Sequence, residues 1–168
     1  TPNLPGTIFT VADEVRALGA EALPLQMDLR NEEKIKSGID QIVAKYGRID
    51  ILINNASALW WQDIVDTPMK KFDLIHSINA RGTFCITNLC LPHKAKNNWC
   101  RVITMSPPIL LDGFAGHTAY NMSKFGMTMV ALGVAAEYAG MGITGNSLWP
   151  ATVIESYASI NFKMGDSS

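Results

Sequence analysis

The chain has 168 residues, 48% of them hydrophobic and 17% charged, and a formal net charge of -1; this composition describes one globular domain with room for a sizeable core and excludes disordered and fibrous classes. Lys and Arg are scattered, so neither a nucleic acid nor a membrane surface is indicated, and a small molecule is the expected partner. Cys85, Cys90 and Cys100 are odd in number and lack Cys-x-x-Cys spacing, which argues against a disulfide framework or a zinc site and for a reducing compartment: the cytoplasm, or an organelle matrix such as that of a peroxisome.

Residues 7 to 18 place Ile8, Val11, Ala12, Val15 and Leu18 at helical spacing, with Gly19 as the stop. The run "ALPLQMDL" at 22 to 29 reads as a strand. Asn31 is a good N-cap for a helix over 31 to 46 that carries Ile35, Ile39, Ile42, Val43 and Tyr46 on one face before Gly47. "IDILINNA" at 49 to 56 reads as a second strand. A proline in the first turn then opens one long helix from Pro68 to about Lys96, with Phe72, Ile75, Ile78, Asn79, Gly82 and Ile86 on related faces. "RVITMS" at 101 to 106 and "GITGNSLW" at 142 to 149 are further strands, and between them a helix runs from about Ala119 to Tyr138. Strands alternating with helices imply a Rossmann-like, doubly wound parallel sheet covered on both faces, a three-layer α/β/α domain over residues 1–168. In such sheets a ligand sits beyond the carboxyl ends of the strands. Here those ends are Asp28, Asn54 to Ser57, Ser106 and Pro150.

Tyr120 and Lys124 lie one helical turn apart and share a face. A lysine charge beside a phenol favours phenolate, so the pairing predicts a tyrosine acidified below its usual range and able to exchange a proton. The spacing by itself is common by chance and is more often that of a half-exposed helix face. Its company decides. "DILINNAS", "INARGTF" with Asn79, "AYNMSK" and "NSLWPAT" occur in the order and at the separations of the short-chain dehydrogenase/reductases, and the chain resembles that family along essentially its whole length. Within the family, "SPP" and "LWP" look closest to the hydroxysteroid dehydrogenase-like 2 group.

The resemblance implies NAD(P)-dependent interconversion of a hydroxyl and a carbonyl, with NADP or NAD as cofactor. It makes Tyr120 the acid/base, while Lys124 holds the nicotinamide ribose and lowers the tyrosine pKa. Asn79 would support a relay water. Asp28 and Leu29 would meet the adenine, Asn55, Ala56 and Ser57 would line the cofactor, and Pro150 and Val153 would cover the nicotinamide. Three departures stand beside these matches. Pro107 occupies the place of the family's carbonyl-polarising serine, so Ser106, one residue early, is the candidate substitute. Ala151 replaces the glycine of a Pro-Gly turn, a change read as tolerated. No glycine-rich phosphate loop precedes residue 28. "GMGITG", Gly140 to Gly145, has the formal spacing of such a loop, but it follows a helix and enters a strand, the reverse of the order a phosphate loop needs. In the family's sheet, strand 22–29 is third and strand 49–56 fourth, separated by two strands not found here, so the chain reads as a fragment, truncated at both ends. The side chains that choose NAD or NADP belong to that missing part.

Trp60, Trp61 and Trp149 flank the expected site, and Met105, Ile109, Leu110, Leu111 and Phe114 add apolar surface. Core packing and a hydrophobic, lipid- or steroid-like substrate explain them equally well. Association of copies through the long helices 68–96 and 119–138 is expected. A reading from another class is a weak or inactive relative that serves as a binding or lipid-handling module, which Pro107 and the missing loop favour.

Overall fold

The computed structural model describes residues 6–94, 99–107, 114–151 and 154. They fall into two compact units, one formed by Thr1–Gln26 with Pro150–Ser168 and the other by Met27–Trp149.

The smaller unit contains α1, Ile8–Ala17, opened by a capping box in which Thr7 and Thr10 bond to each other's backbone N–H groups. Of the expected apolar stripe only Ala12 is buried; Ile8, Val11 and Leu18 are exposed. The expected strand at 22–29 does not form. A strand needs a neighbour to take up its alternating N–H and C=O groups, and none pairs with this run among the described residues.

In the larger unit α2 spans Glu32–Tyr46. Asn31 Oδ1 caps it by accepting from the Lys34 N–H at 3.0 Å, and Gly47 ends it in a left-handed conformation. The three remaining expected strands form β1, Ile51–Asn54, β2, Cys100–Met105, and β3, Ile143–Leu148. They make one parallel sheet in the order β1-β2-β3, with Ile51 opposite Arg101 and Val102 opposite Gly145. The expected long helix is continuous from 69 to 94 but changes pitch. It runs as α3, Met69–His76, then a π-helical segment, Ser77–Gly82, then α4, Thr83–Lys94. α5 spans Thr118–Glu137, and Gly140 and Gly142 lie in the turn that leads from it to β3, so the formal phosphate-loop spacing of "GMGITG" falls where a helix passes into a strand.

The core joins Ile35 and Ile39 of α2, Cys90 of α4 and Val134 of α5 to Leu52, Cys100, Val102 and Ile143 of the sheet. Burial of each large aliphatic side chain contributes about 1.5–3 kcal/mol. α5 crosses β3 at very short range: a Cβ on Gly145 would stand 2.1 Å from the Ala131 carbonyl oxygen, so only glycine fits there. Within this unit α2, α4 and α5 cover one face of the sheet, the face that buries Leu52, Val102 and Ile143. The opposite face leaves Ile51 and Ile53 52% and 59% exposed; in a three-layer domain the second helical layer lies there.

Candidate active site

Parallel strands all point their carboxyl ends the same way, so the ends of β1, β2 and β3 gather at one edge of the sheet. There Asn55, Ala56 and Ser57 are exposed beyond β1. Asn54, just before them, is buried and donates to Thr87 and Thr104 at 3.2 and 3.4 Å. It anchors the strand end, whereas the three residues after it offer small side chains and accessible backbone.

At the end of β2, Lys124 of α5 is brought in from the side. It is only 5% exposed, and its Nζ donates to the Met105 carbonyl at 2.6 Å. Burial disfavours the ammonium and lowers its pKa to about 8. Tyr120, one turn earlier, is partly buried, and burial raises its pKa above the usual phenol value. The expected acidification of the phenol is thus not met. Loss of hydration dominates for Tyr120, and the ammonium is turned to a main-chain oxygen.

Asn79 sits in the π-helical segment with no exposure. Its Oδ1 accepts from the Ala58 N–H at 2.7 Å, and its Nδ2 donates to the Ala58 carbonyl at 2.9 Å and to Ser123 Oγ at 2.8 Å. The side chain expected to support a relay water therefore clamps the loop after β1 to α5. The wider π turn gives this polar residue its room, and such turns recur at functional sites. Close packing holds the segment on both sides. A Cβ on Gly126 of α5 would lie 2.8 Å from Ala80 Cβ, and one on Gly82 would lie 2.9 Å from Leu29 Cβ and 3.1 Å from the Leu29 carbonyl oxygen. Leu29 is in this way pressed against the π segment.

Asp28 is half-buried, and Arg30 grips it through its backbone N–H at 3.0 Å and its guanidinium at 2.6–3.2 Å. These bonds hold the carboxyl far below the ordinary carboxylate range. They also occupy the oxygens that an adenine amino group would meet.

Ser106, the candidate substitute for the serine replaced by Pro107, has its hydroxyl engaged within the protein. It is buried, donates to the Lys124 carbonyl at 3.0 Å and accepts from Thr128 Oγ1 at 2.7 Å. Its N–H is bonded to the Leu148 carbonyl at 3.2 Å, which ties the residue to β3 and turns the hydroxyl into the helix packing. Pro150 belongs to the other unit, and Val153, Ile109, Leu110 and Leu111 lie outside the described residues. Of the aromatic wall, Trp60 carries Lys71 over its ring at 4.4 Å, Trp61 meets His117 edge-on at 4.6 Å, and Trp149 donates to Ser147 Oγ at 2.7 Å. Sequence reasoning missed Ser123 and Ala58. Ser123 was visible as a small hydroxyl three residues after Tyr120, the spacing of a side chain that bonds back to its own helix; Ala58 acts through its main chain and leaves no signal.

A family model described as short chain dehydrogenase matches residues 5–160. The chain belongs to the short-chain dehydrogenase family. It is 46% identical over 159 residues to hydroxysteroid dehydrogenase-like protein 2 of Danio rerio and 42% identical to that of Homo sapiens, in each case covering 94% of this chain and 38% of the relative. Its structure is similar to that of a putative dehydrogenase from Xanthomonas campestris, with 43% identity, a TM-score of 0.90 and coverage of 98% of this chain and 61% of the other. The chain thus spans well under half the length of those curated relatives. The fold is shared with a metagenomic short-chain oxidoreductase in complex with NADP (22% identity, TM-score 0.81, covering 86% of this chain and 66% of the other). It is also shared with an NAD+-bound xylitol dehydrogenase (23%, 0.84, covering 95% and 64%). Among the described residues, no helix of this family member is long and apolar enough to cross a membrane.

Proposed function

We propose that the chain carries the catalytic half of an NAD(P)-dependent oxidoreductase that interconverts a hydroxyl and a carbonyl on a hydrophobic, lipid- or steroid-like substrate. The observation that supports this most is Lys124, a cation enclosed at the carboxyl edge of the sheet, one turn from a partly buried Tyr120. Burying a lysine is costly, and a packing role would be met at lower cost by Leu or Met. Tyr120, with its pKa raised, keeps its proton at neutral pH and is the donor to a substrate carbonyl oxygen, which leaves it as phenolate; in the reverse direction that phenolate, formed after the phenol proton has passed to water, takes the proton of the hydroxyl and returns to phenol. Lys124 is the group to hold the nicotinamide ribose, Asn55 to Ser57 give the cofactor an approach to backbone, and Asp28 with Leu29 faces the adenine once Arg30 releases the carboxylate. The bound cofactor, NADP or NAD, would give or take the hydride. Pro150 and Val153 are assigned to the nicotinamide cover by family resemblance.

Tyr120→Phe tests the reading. Turnover of a hydrophobic secondary alcohol by the full-length protein should fall by roughly 100-fold or more, with cofactor affinity by fluorescence titration changed less than about twofold. An unchanged rate would sink the assignment. A second reading, a binding module with little turnover, is favoured by Pro107 together with the inward-turned Ser106 hydroxyl. It predicts that the same variant retains ligand affinity and that the parent shows no measurable rate. Copies of the chain are proposed to associate through α4 and α5, and the reducing compartment suggested by the cysteines is the cytoplasm or an organelle matrix.

A further inference from the structure

One hydroxyl joins the segments that converge on Tyr120. Ser123 is fully buried, accepts from Asn79 Nδ2 at 2.8 Å and donates to the Tyr120 carbonyl at 2.7 Å. Asn79 is held in turn by both main-chain groups of Ala58. A serine has one proton to give, and here it goes to the carbonyl of the residue that carries the phenol. Bonding back to a carbonyl three residues earlier adjusts the local geometry of a helix, and in this protein the adjustment is not free, because the same oxygen is fixed from the π-helical segment. The first turn of α5 is therefore referenced through two side chains to the loop after β1.

We propose that Ser123 is a positioning residue for Tyr120, transmitting the placement of the π-helical segment to the turn that sets the depth of the phenol. This rests on the assignment of Tyr120 as the acid/base, yet its test needs no turnover. Thr128, five residues further along α5, supplies the control: it is also buried, but its side-chain bonds go to Ser106 and Ser147 and none reaches Tyr120. The titratable groups near this turn include Lys124 on α5, His117 at its N-cap and His76 at the end of α3, close to the Ala119 backbone. None of them is replaced by substitution of Ser123.

The readout is the ultraviolet phenolate band of Tyr120, isolated by subtracting the titration of Tyr120→Phe. In the parent its midpoint should stand above the usual value near 10. Ser123→Ala is expected to lower that midpoint by roughly half a unit to one unit, as the phenol relaxes toward water, whereas Thr128→Ala should reduce thermal stability and leave the midpoint in place. Ser123→Cys, of similar volume but a weak hydrogen-bond partner, should shift the midpoint in the same direction if the alanine variant does not fold. A midpoint unmoved in the Ser123 variants, or moved equally in Thr128→Ala, would overturn the proposal. Failure of the acid/base assignment would appear instead as turnover surviving in Tyr120→Phe, with the titration unaffected.

Discussion

Lys124 is the residue at which stability and the proposed function pull apart. Its pKa falls to about 8 because burial penalises the charged form, while in the unfolded chain it returns to the ordinary lysine value near 10.4. Between those two values the unfolded chain binds the extra proton, so stability should rise as pH increases from about 8 to 10, by a few kcal/mol at most. Above about 10 the raised Tyr120 pKa acts in the opposite sense, because the folded protein then holds the proton that the unfolded chain has lost. Lys124→Met removes the first effect. Its thermal midpoint should equal or exceed that of the parent at pH 7, with the advantage shrinking by pH 10, and turnover should be lost. Midpoints that run parallel across this range would show that Lys124 is fully charged and well solvated in the folded protein.

Among elements, the long helix shows how a polar side chain reshapes backbone. Apolar periodicity over 68 to 96 made a helix legible, and a helix is found, but the interior π segment was not legible because its cause lies elsewhere in the chain. Asn79 must meet Ala58, twenty-one residues away, and Gly82 must admit Leu29. The run at 22–29 failed for the complementary reason: its apolar pattern is that of a strand, but a strand exists only with its neighbour. β3 and α5 show a case where both levels agree. Gly145 lies under the Ala131 carbonyl oxygen, so Gly145→Ala forces backbone apart and should cost about 1–3 kcal/mol or more, read as a lowered midpoint in urea. A variant as stable as the parent would mean that helix and strand separate easily.

For the whole molecule, large apolar side chains stand exposed on faces turned away from the core among the described residues. Phe84 on α4 and Met129 on α5 are 62% and 64% exposed and line one groove of about 710 Å³ between those helices, with Leu91, Val130 and Tyr138 beside them. Association of copies through this face, as proposed, would cover it. Met129→Glu places a charge in the groove and should shift sedimentation toward the monomer at micromolar concentration, with little effect on the unfolding midpoint of the separated chain. An unchanged sedimentation coefficient would place the interface elsewhere.

Local chemistry was the part of this protein that its sequence determined unaided. Helix caps at Asn31 and Gly47, the parallel order implied by alternating elements, and the Tyr120 and Lys124 pairing all depend on neighbours a few residues apart or on motifs whose order survives in one dimension. Family membership followed from those motifs. Only the tertiary structure decided which groups are spent on packing and which remain for chemistry. Ser106, one residue from the expected serine, looked available, yet its hydroxyl is consumed by Lys124 and Thr128. The Asn79 side chain is bonded to Ala58 and Ser123, while the pKa values of Tyr120 and Lys124 are moved by burial and not by mutual attraction. The reason is the same in each case. Hydrogen-bond partners and loss of hydration are set by groups distant in the chain, and their identities are settled when the helices close over the sheet.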